Sequence, residues 1–187
     1  MRDEIGRCYV IGADHACITL TNHLLERYLK SFLILKESNF LTLEKLEGLK
    51  NIFEKANEKY LGLDLSETLG KFKKLGFITK EEWKKMDVIR EQYRNGFGHA
   101  DPRKILGEAK GNFTLGSFSD PSKSEVKELE IAKIPILHGI AIQFFSESKS
   151  LLYFVEVENL IRKTINQIQP EEHKSNHKIV AIVPKER

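Results

Sequence analysis

Hydrophobic residues recur at helical spacing through most of the chain. The first predicted helix runs from about residue 13 to residue 36, because four apolar residues follow an i, i+4, i+7, i+8 pattern there. These residues are Leu25, Leu29, Phe32 and Leu33. A second helix is predicted from five residues that step by three and four: Leu46, Leu49, Phe53, Ala56 and Tyr60.

A short third helix is predicted around residues 69–75, where Leu69, Phe72 and Leu75 are again helically spaced. Ser66 is a plausible N-cap for this helix. Gly76 lies just past its end, where glycine often closes a helix.

The clearest helix start in the sequence is at Thr79. Glu82 lies three residues further on and completes a capping box, while Ile78 and Trp83 are spaced for a hydrophobic staple. The helix that follows keeps one apolar face through Tyr93. Two glycines shortly after Tyr93 are expected to interrupt or distort it.

The last third of the chain begins with a polar segment. Residues 102 to about 133 predict a long connection, with a hairpin around Phe113 to Phe118. Pro135 then opens a predicted helix of about 30 residues. The run at 179–183 has a β-like composition and either adds a strand or stays loose.

These elements predict an all-α bundle of about five helices, forming one domain over residues 1–170 with a polar tail at 171–187. A content of 41% apolar and 30% charged residues is that of an ordinary soluble protein. The longest uncharged run has thirteen residues. A bilayer span needs about 20, so we expect no membrane segment. The charged N-terminus predicts no secretory signal, and two cysteines, Cys8 and Cys17, fit a reducing cytoplasm as small buried residues.

The net charge of +3 is unevenly distributed. Between Lys84 and Lys110 there are seven basic and four acidic residues, which account for the whole excess. The positive field is therefore concentrated around Arg94 and His99, and its sign favours a phosphate-bearing ligand. An excess of this size also occurs on ordinary solvated helix faces.

Arg94 and His99 bound the segment Arg-Asn-Gly-Phe-Gly-His and are the main candidates for chemistry. Arginine presents a planar fork of donors to phosphate oxygens, and histidine, with an ordinary pKa of about 6.5, transfers protons near neutrality. Residues five apart on an intact helix point roughly 140° apart. We therefore expect Gly96 and Gly98 to bend the chain so that both side chains reach one pocket, or a second copy to complete it. Asn95 adds amide donors, and the pair needs neither a metal nor a cofactor.

The same residues also have a purely structural interpretation. Arg and His near a helix C-terminus complement its dipole, and Asn followed by Gly often ends a helix. His99 and Asp101 alone make a poor metal site. His173 and His177 lie in the polar tail and are interpreted as solvated. The remaining histidines are interpreted as core or surface residues: His15, His23 and His138.

The segment from Asp87 to Ala100, Asp-Val-Ile-Arg-Glu-Gln-Tyr-Arg-Asn-Gly-Phe-Gly-His-Ala, resembles the signature of the HEPN superfamily. In that signature an Arg, often followed by Asn, precedes a His by four to six residues. Residues 24–30 resemble the first helix of such domains, and residues 69–78 resemble the mannitol-repressor-like branch. The resemblance covers residues 13 to 155.

The resemblance implies a HEPN-like helical bundle that dimerises with its two motifs facing each other, and a metal-independent endoribonuclease acting on RNA. His99 would take the proton of the ribose 2′-hydroxyl, Arg94 would hold the scissile phosphate and Asn95 would assist orientation. The products would be a cyclic phosphate and a 5′-hydroxyl. Tyr93 or Phe97 would stack on a base. The candidates for substrate binding are Arg90, Tyr93, Asp101 and Arg103.

One position departs from a branch of this superfamily. Toxins paired with a nucleotidyltransferase antitoxin carry a Tyr two residues after the His, where this chain has Asp101, which instead is a candidate to orient His99. A toxin or defence role with an antitoxin or regulatory partner is one expectation. A non-catalytic module that binds nucleic acid or a regulatory protein is an alternative, and so is a structural interaction domain.

Overall fold

A computed structural model describes residues 1–37, 46–117 and 120–168 of the protein. This part of the chain is mostly helical, which confirms the predicted all-α class. The helices are α1 (Arg2–Val10), α2 (Asp14–Glu37), α3 (Leu46–Tyr60), α4 (Leu65–Lys74), α5 (Lys80–Ile89), α6 (Gly96–Gly98), α7 (Pro102–Leu106) and α8 (Pro135–Ile168). A π-helical turn (Arg90–Asn95) joins α5 to α6, and a 3-10 turn (Ile131–Lys133) precedes α8.

The centre of the core lies between α2 and α8. Leu25 and Leu29 of α2 and Val157 and Ile161 of α8 are fully buried, and α1, α3 and α4 pack against α2. Both long helices were predicted from their hydrophobic spacing. The short helices α1 and α7 were not, because neither is long enough to show a repeat.

Two helices begin with capping boxes. The prediction for α5 is confirmed: the Thr79 hydroxyl accepts from the Glu82 backbone N–H, and the Glu82 carboxylate accepts from the Thr79 N–H. The prediction of Ser66 as the N-cap of α4 is wrong. Asp64 is the N-cap and forms the same reciprocal bonds with Glu67, which leaves Ser66 inside the first turn.

The predicted hairpin is present and longer than expected. Strands β1 (Lys110–Ser117) and β2 (Asp120–Glu130) are antiparallel, and Lys110 pairs with Glu130 at the end next to α7 and the 3-10 turn. The connection predicted as irregular is therefore largely a two-stranded ribbon.

The glycines at 96 and 98 do not break the helix as predicted. Helical conformation continues through them, and the distortion lies before them, in the π-helical turn. A Cβ atom at Gly96 would lie 2.7 Å from the Ile105 side chain of α7, whereas one at Gly98 would meet nothing within 4 Å. Gly96 is thus needed for close packing of α6 on α7, and Gly98 is not.

Several predictions fall on residues 169–187, outside the described residues: the polar tail at 171–187, its run at 179–183, His173 and His177. Cys17 is buried as expected, while Cys8 is half-buried. Among the described helices, none is both long enough and apolar enough to cross a bilayer.

Candidate functional site

A cleft of about 270 Å³ lies between α2 and the C-terminal end of the α5–α6 helix. It is lined by Thr19, Asn22, His23, Glu26, Arg94, Phe97 and Gly98. Four of these residues come from one face of α2, where positions three and four apart are neighbours. The cleft therefore combines one cation, one carboxylate, one imidazole and an amide.

Arg94 is held at the cleft by a single carboxylate. Its Nε donates to Oε1 of Glu26 at 3.0 Å, and the Arg94 side chain remains 39% exposed. Within the described ranges Glu26 is its only ion-pair partner. Because the contact uses Nε, the terminal nitrogens of the guanidinium keep their donors for a ligand.

Asn22 ties the base of the cleft to the core. Its amide nitrogen donates to the Tyr93 carbonyl at 3.1 Å, and its amide oxygen accepts from the Tyr153 hydroxyl at 2.7 Å. All three residues are buried. The Asn22 side chain thus connects α2, the π-helical turn and α8.

The π-helical turn lies at this junction. Within it the Gly96 N–H bonds to the Glu91 carbonyl, five residues back, instead of the usual four. The Asn22 side chain donates to the carbonyl of Tyr93, which belongs to the turn. π-Helical turns of this kind often occur at functional sites.

His99 lies at the end of the helix and does not line the cleft. Its N–H donates to the Asn95 carbonyl, and the chain then turns through Ala100 with a positive φ of 48°. The Asp101 N–H closes the turn on the Gly96 carbonyl, six residues in all, as in a Schellman motif. His99 is exposed, and in one copy of the chain it is not brought together with Arg94 in the cleft.

Asp101 and Arg103 bind each other. Two guanidinium nitrogens of Arg103 donate to the two carboxylate oxygens of Asp101 at 3.0 and 3.1 Å. Arg103 thereby lowers the pKa of Asp101. Asp101 also caps α7 through the Arg103 N–H, so its carboxylate is directed to α7 rather than to His99. The Arg103 side chain is 79% exposed and keeps a surface position.

Arg90 and Asn95 are engaged on a different side of the turn. Arg90 is 17% exposed and pairs with Asp87 at 2.9 Å and Glu91 at 2.8 Å. The Asn95 side chain approaches the Glu91 carboxylate and is the main cause of the lowered pKa of Glu91. Lys104 of α7 approaches the same carboxylate at 3.2 Å.

Tyr93, one of the two residues predicted to stack on a base, is buried in the core. Tyr93 is 8% exposed, and its ring stacks on Tyr153 with centroids 4.6 Å apart. Burial raises its pKa. Phe97 is also buried but forms part of the cleft wall, where its ring meets His15 edge-on at 4.7 Å.

The α2 residues of the site were missed as a group. His23 was interpreted as a core or surface residue, and Asn22 and Glu26 were not considered. The available signal was the cluster of polar residues at helical spacing beside the apolar face of α2, although it does not reveal which element they meet. Within the described ranges, no three His, Cys, Asp or Glu side chains are grouped closely enough to hold a metal ion.

Comparisons with known proteins identify no relative of this chain. No protein-family model, curated protein or solved structure matches the chain.

Proposed function

We propose that this protein is a metal-independent endoribonuclease of the HEPN type. In this proposal Arg94 binds the scissile phosphate of RNA and His99 takes the proton of the ribose 2′-hydroxyl. The observation that carries the proposal is the position of Arg94, which lines a cleft and has a single carboxylate partner among the residues that the structure describes.

The contact with Glu26 suits phosphate binding. Glu26 fixes the Arg94 side chain through Nε. A guanidinium fixed in this way presents its terminal nitrogens for a bidentate contact with phosphate oxygens. Charge develops on these oxygens as the 2′-oxygen attacks, and a cation already in place stabilises that charge without further rearrangement.

The exposed position of His99 supports the second part of the proposal, that two copies act together. Since His99 lies outside the cleft of its own chain, the His99 of one copy would approach the Arg94 of the other. The turn at Ala100 holds His99 at the helix end. Asn95 is engaged with Glu91, and we assign it to the support of the turn rather than to the phosphate.

The test is incubation of purified protein with single-stranded RNAs of varied sequence in the presence of a chelator. We expect fragments with a cyclic phosphate and a 5′-hydroxyl. Removing one transition-state donor costs about 10² to 10³ in rate, so Arg94→Gln should slow cleavage by this factor. His99→Ala should slow it by about 10² to 10⁴, the usual contribution of a general base.

Arg90→Gln is the matched control. It removes an arginine of the same segment that is paired with Asp87 and Glu91 outside the cleft, so cleavage should continue. Intact RNA under all conditions would contradict the proposal. Salt-sensitive RNA binding that Arg94→Gln weakens, without any product, would instead identify a non-catalytic nucleic-acid-binding module.

A further inference from the structure

The cleft that contains Arg94 also contains a histidine other than His99. His23 comes from α2, one turn after Thr19 and three residues before Glu26, and all three line the cleft. Side chains at this spacing share one face of a helix. The imidazole of His23 is therefore placed beside the ion pair of Glu26 and Arg94 within a single chain.

Cleavage by the 2′-hydroxyl requires two proton transfers. One proton leaves the attacking 2′-oxygen, and the proposed function assigns it to His99. A second proton must reach the 5′-oxygen, because an alkoxide is a poor leaving group. Because His99 is already assigned the first proton, a donor of the second is sought among the residues that line the cleft beside Arg94.

The cleft offers few proton donors. Arg94 cannot be deprotonated in a protein. Glu26 is engaged in an ion pair with Arg94 at 3.0 Å. The Thr19 hydroxyl donates to the His15 carbonyl at 3.0 Å. Histidine is the side chain that most often serves as a general acid or base in enzymes, and His23 is the histidine that lines the cleft.

We infer that His23 is the general acid of the reaction, an inference that rests on the proposed function. The 2′-oxygen forms a bond to phosphorus while its proton passes to His99, and Arg94 binds the phosphate oxygens. The bond between phosphorus and the 5′-oxygen breaks, and the 5′-oxygen takes the proton of the His23 imidazolium. The products are a 2′,3′-cyclic phosphate and a 5′-hydroxyl, and no metal or redox partner takes part.

A substrate with a bridging 5′-sulfur tests this role directly. The sulfur replaces the 5′-oxygen at the bond that the wild-type protein cuts in unmodified RNA. A thiol, with an ordinary pKa of about 8.5, leaves as a thiolate without a proton. Loss of a general acid should slow cleavage of the unmodified RNA by about 10² to 10⁴, and the sulfur substrate should restore the rate.

The variants are His23→Gln and His23→Asn, both on the exposed surface of α2, with helicity checked by circular dichroism. His138→Gln is the control: its Nε2 lies 2.9 Å from the Ala132 carbonyl and it does not line the cleft, so its rate should equal that of the wild type. His99→Ala should stay slow on the sulfur substrate, because the 2′-oxygen still needs a base.

The outcomes separate the inference from the proposed function. Slow cleavage of unmodified RNA by both His23 variants, restored by the 5′-sulfur, supports the assignment. Undiminished cleavage by these variants, or a defect that the sulfur does not repair, overturns the role of His23 and leaves the ribonuclease standing. An inactive wild-type protein overturns both.

Discussion

The two faces of the π-helical turn differ in how their charges are paired. On the charged face, formed by Arg90, Glu91 and Asn95, the charges are paired with one another. Arg90 forms ion pairs with Glu91 and Asp87, and Glu91 also pairs with Lys104 and is approached by Asn95. The α2 face, formed by Tyr93 and Arg94, carries one cation with one carboxylate and opens into a cleft.

This difference identifies the arginine that is available for a ligand. The sequence between Lys84 and Lys110 has an excess of positive charge, but this excess does not show which of the basic side chains can contact a ligand. Arg90 and Arg103 both bind carboxylates of their own segment. Arg94 alone among these three reaches across to another helix and lines a cleft.

The largest effect on stability is expected from removing the side chain of Asn22, which connects α2 to the π-helical turn and to α8. Asn22→Ala leaves the Tyr153 hydroxyl and the Tyr93 carbonyl buried without their partner. Each such group costs about 1 to 3 kcal/mol, so the free energy of unfolding should fall by about 2 to 6 kcal/mol. Urea denaturation measures this change.

Thr19→Ala is the control for Asn22→Ala, because it removes another polar side chain from the same cleft. Thr19 is exposed, and its hydroxyl donates to the His15 carbonyl of its own helix. Its loss should change stability by no more than about 0.5 kcal/mol. Equal losses for the two variants would show that Asn22 does not hold the turn.

A smaller effect should distinguish the two glycines that follow the turn. Gly96→Ala places a methyl group 2.7 Å from the buried Ile105 side chain, and overpacking of this kind costs about 1 to 3 kcal/mol. Gly98→Ala meets nothing within 4 Å and removes glycine from a helix, which should stabilise the protein by about 0.5 to 1 kcal/mol. Thermal unfolding of both variants provides the measurement.

The two alanine substitutions should therefore change the stability of the protein in opposite directions. If both alanines destabilise the protein, the helix does not continue through 96–98 in solution and the glycines form a break. His99 would then be able to approach Arg94 in its own chain. The separation of His99 from the cleft would no longer hold.

The sequence revealed local features of the fold better than it revealed the site. Thr79 and Glu82 carry a complete helix signal within four residues, and the structure confirms it. Tyr93 also carried a readable signal, since it continued the apolar face that includes Trp83 and Met86. This pattern predicts a buried ring, which does not agree with stacking on a base. The structure places the ring of Tyr93 in the core.

The π-helical turn and the cleft were beyond reach of the sequence for a physical reason. Both depend on contacts between residues about 70 positions apart, such as Asn22 with Tyr93 and Glu26 with Arg94. Periodicity places a residue on a face of its helix but does not identify the helix opposite. Asp101 shows the same limit, because its proximity to His99 in sequence indicated a partner that proved to be Arg103.

The smallest effect tests whether Asn95 belongs to the charged face. The approach of the Asn95 side chain to the Glu91 carboxylate is the main cause of the lowered pKa of Glu91, so Asn95→Ala should raise this pKa toward the ordinary value of about 4.3. Lys104 and Arg90 also lower it, and these contacts remain. NMR titration of the Glu91 carboxyl measures the shift.

The consequence for stability has a defined sign. Because the pKa of Glu91 is lowered on folding, its contribution is present above about pH 4.3 and is lost as the pH falls through the folded value. Asn95→Ala should therefore lose less stability on acidification than the wild type, by a small amount because Glu91 is 47% exposed. Asn57→Ala, another helical asparagine, should leave the pKa of Glu91 unchanged. If Asn95→Ala also leaves it unchanged but weakens RNA binding, Asn95 faces the ligand and the charged face belongs to the site.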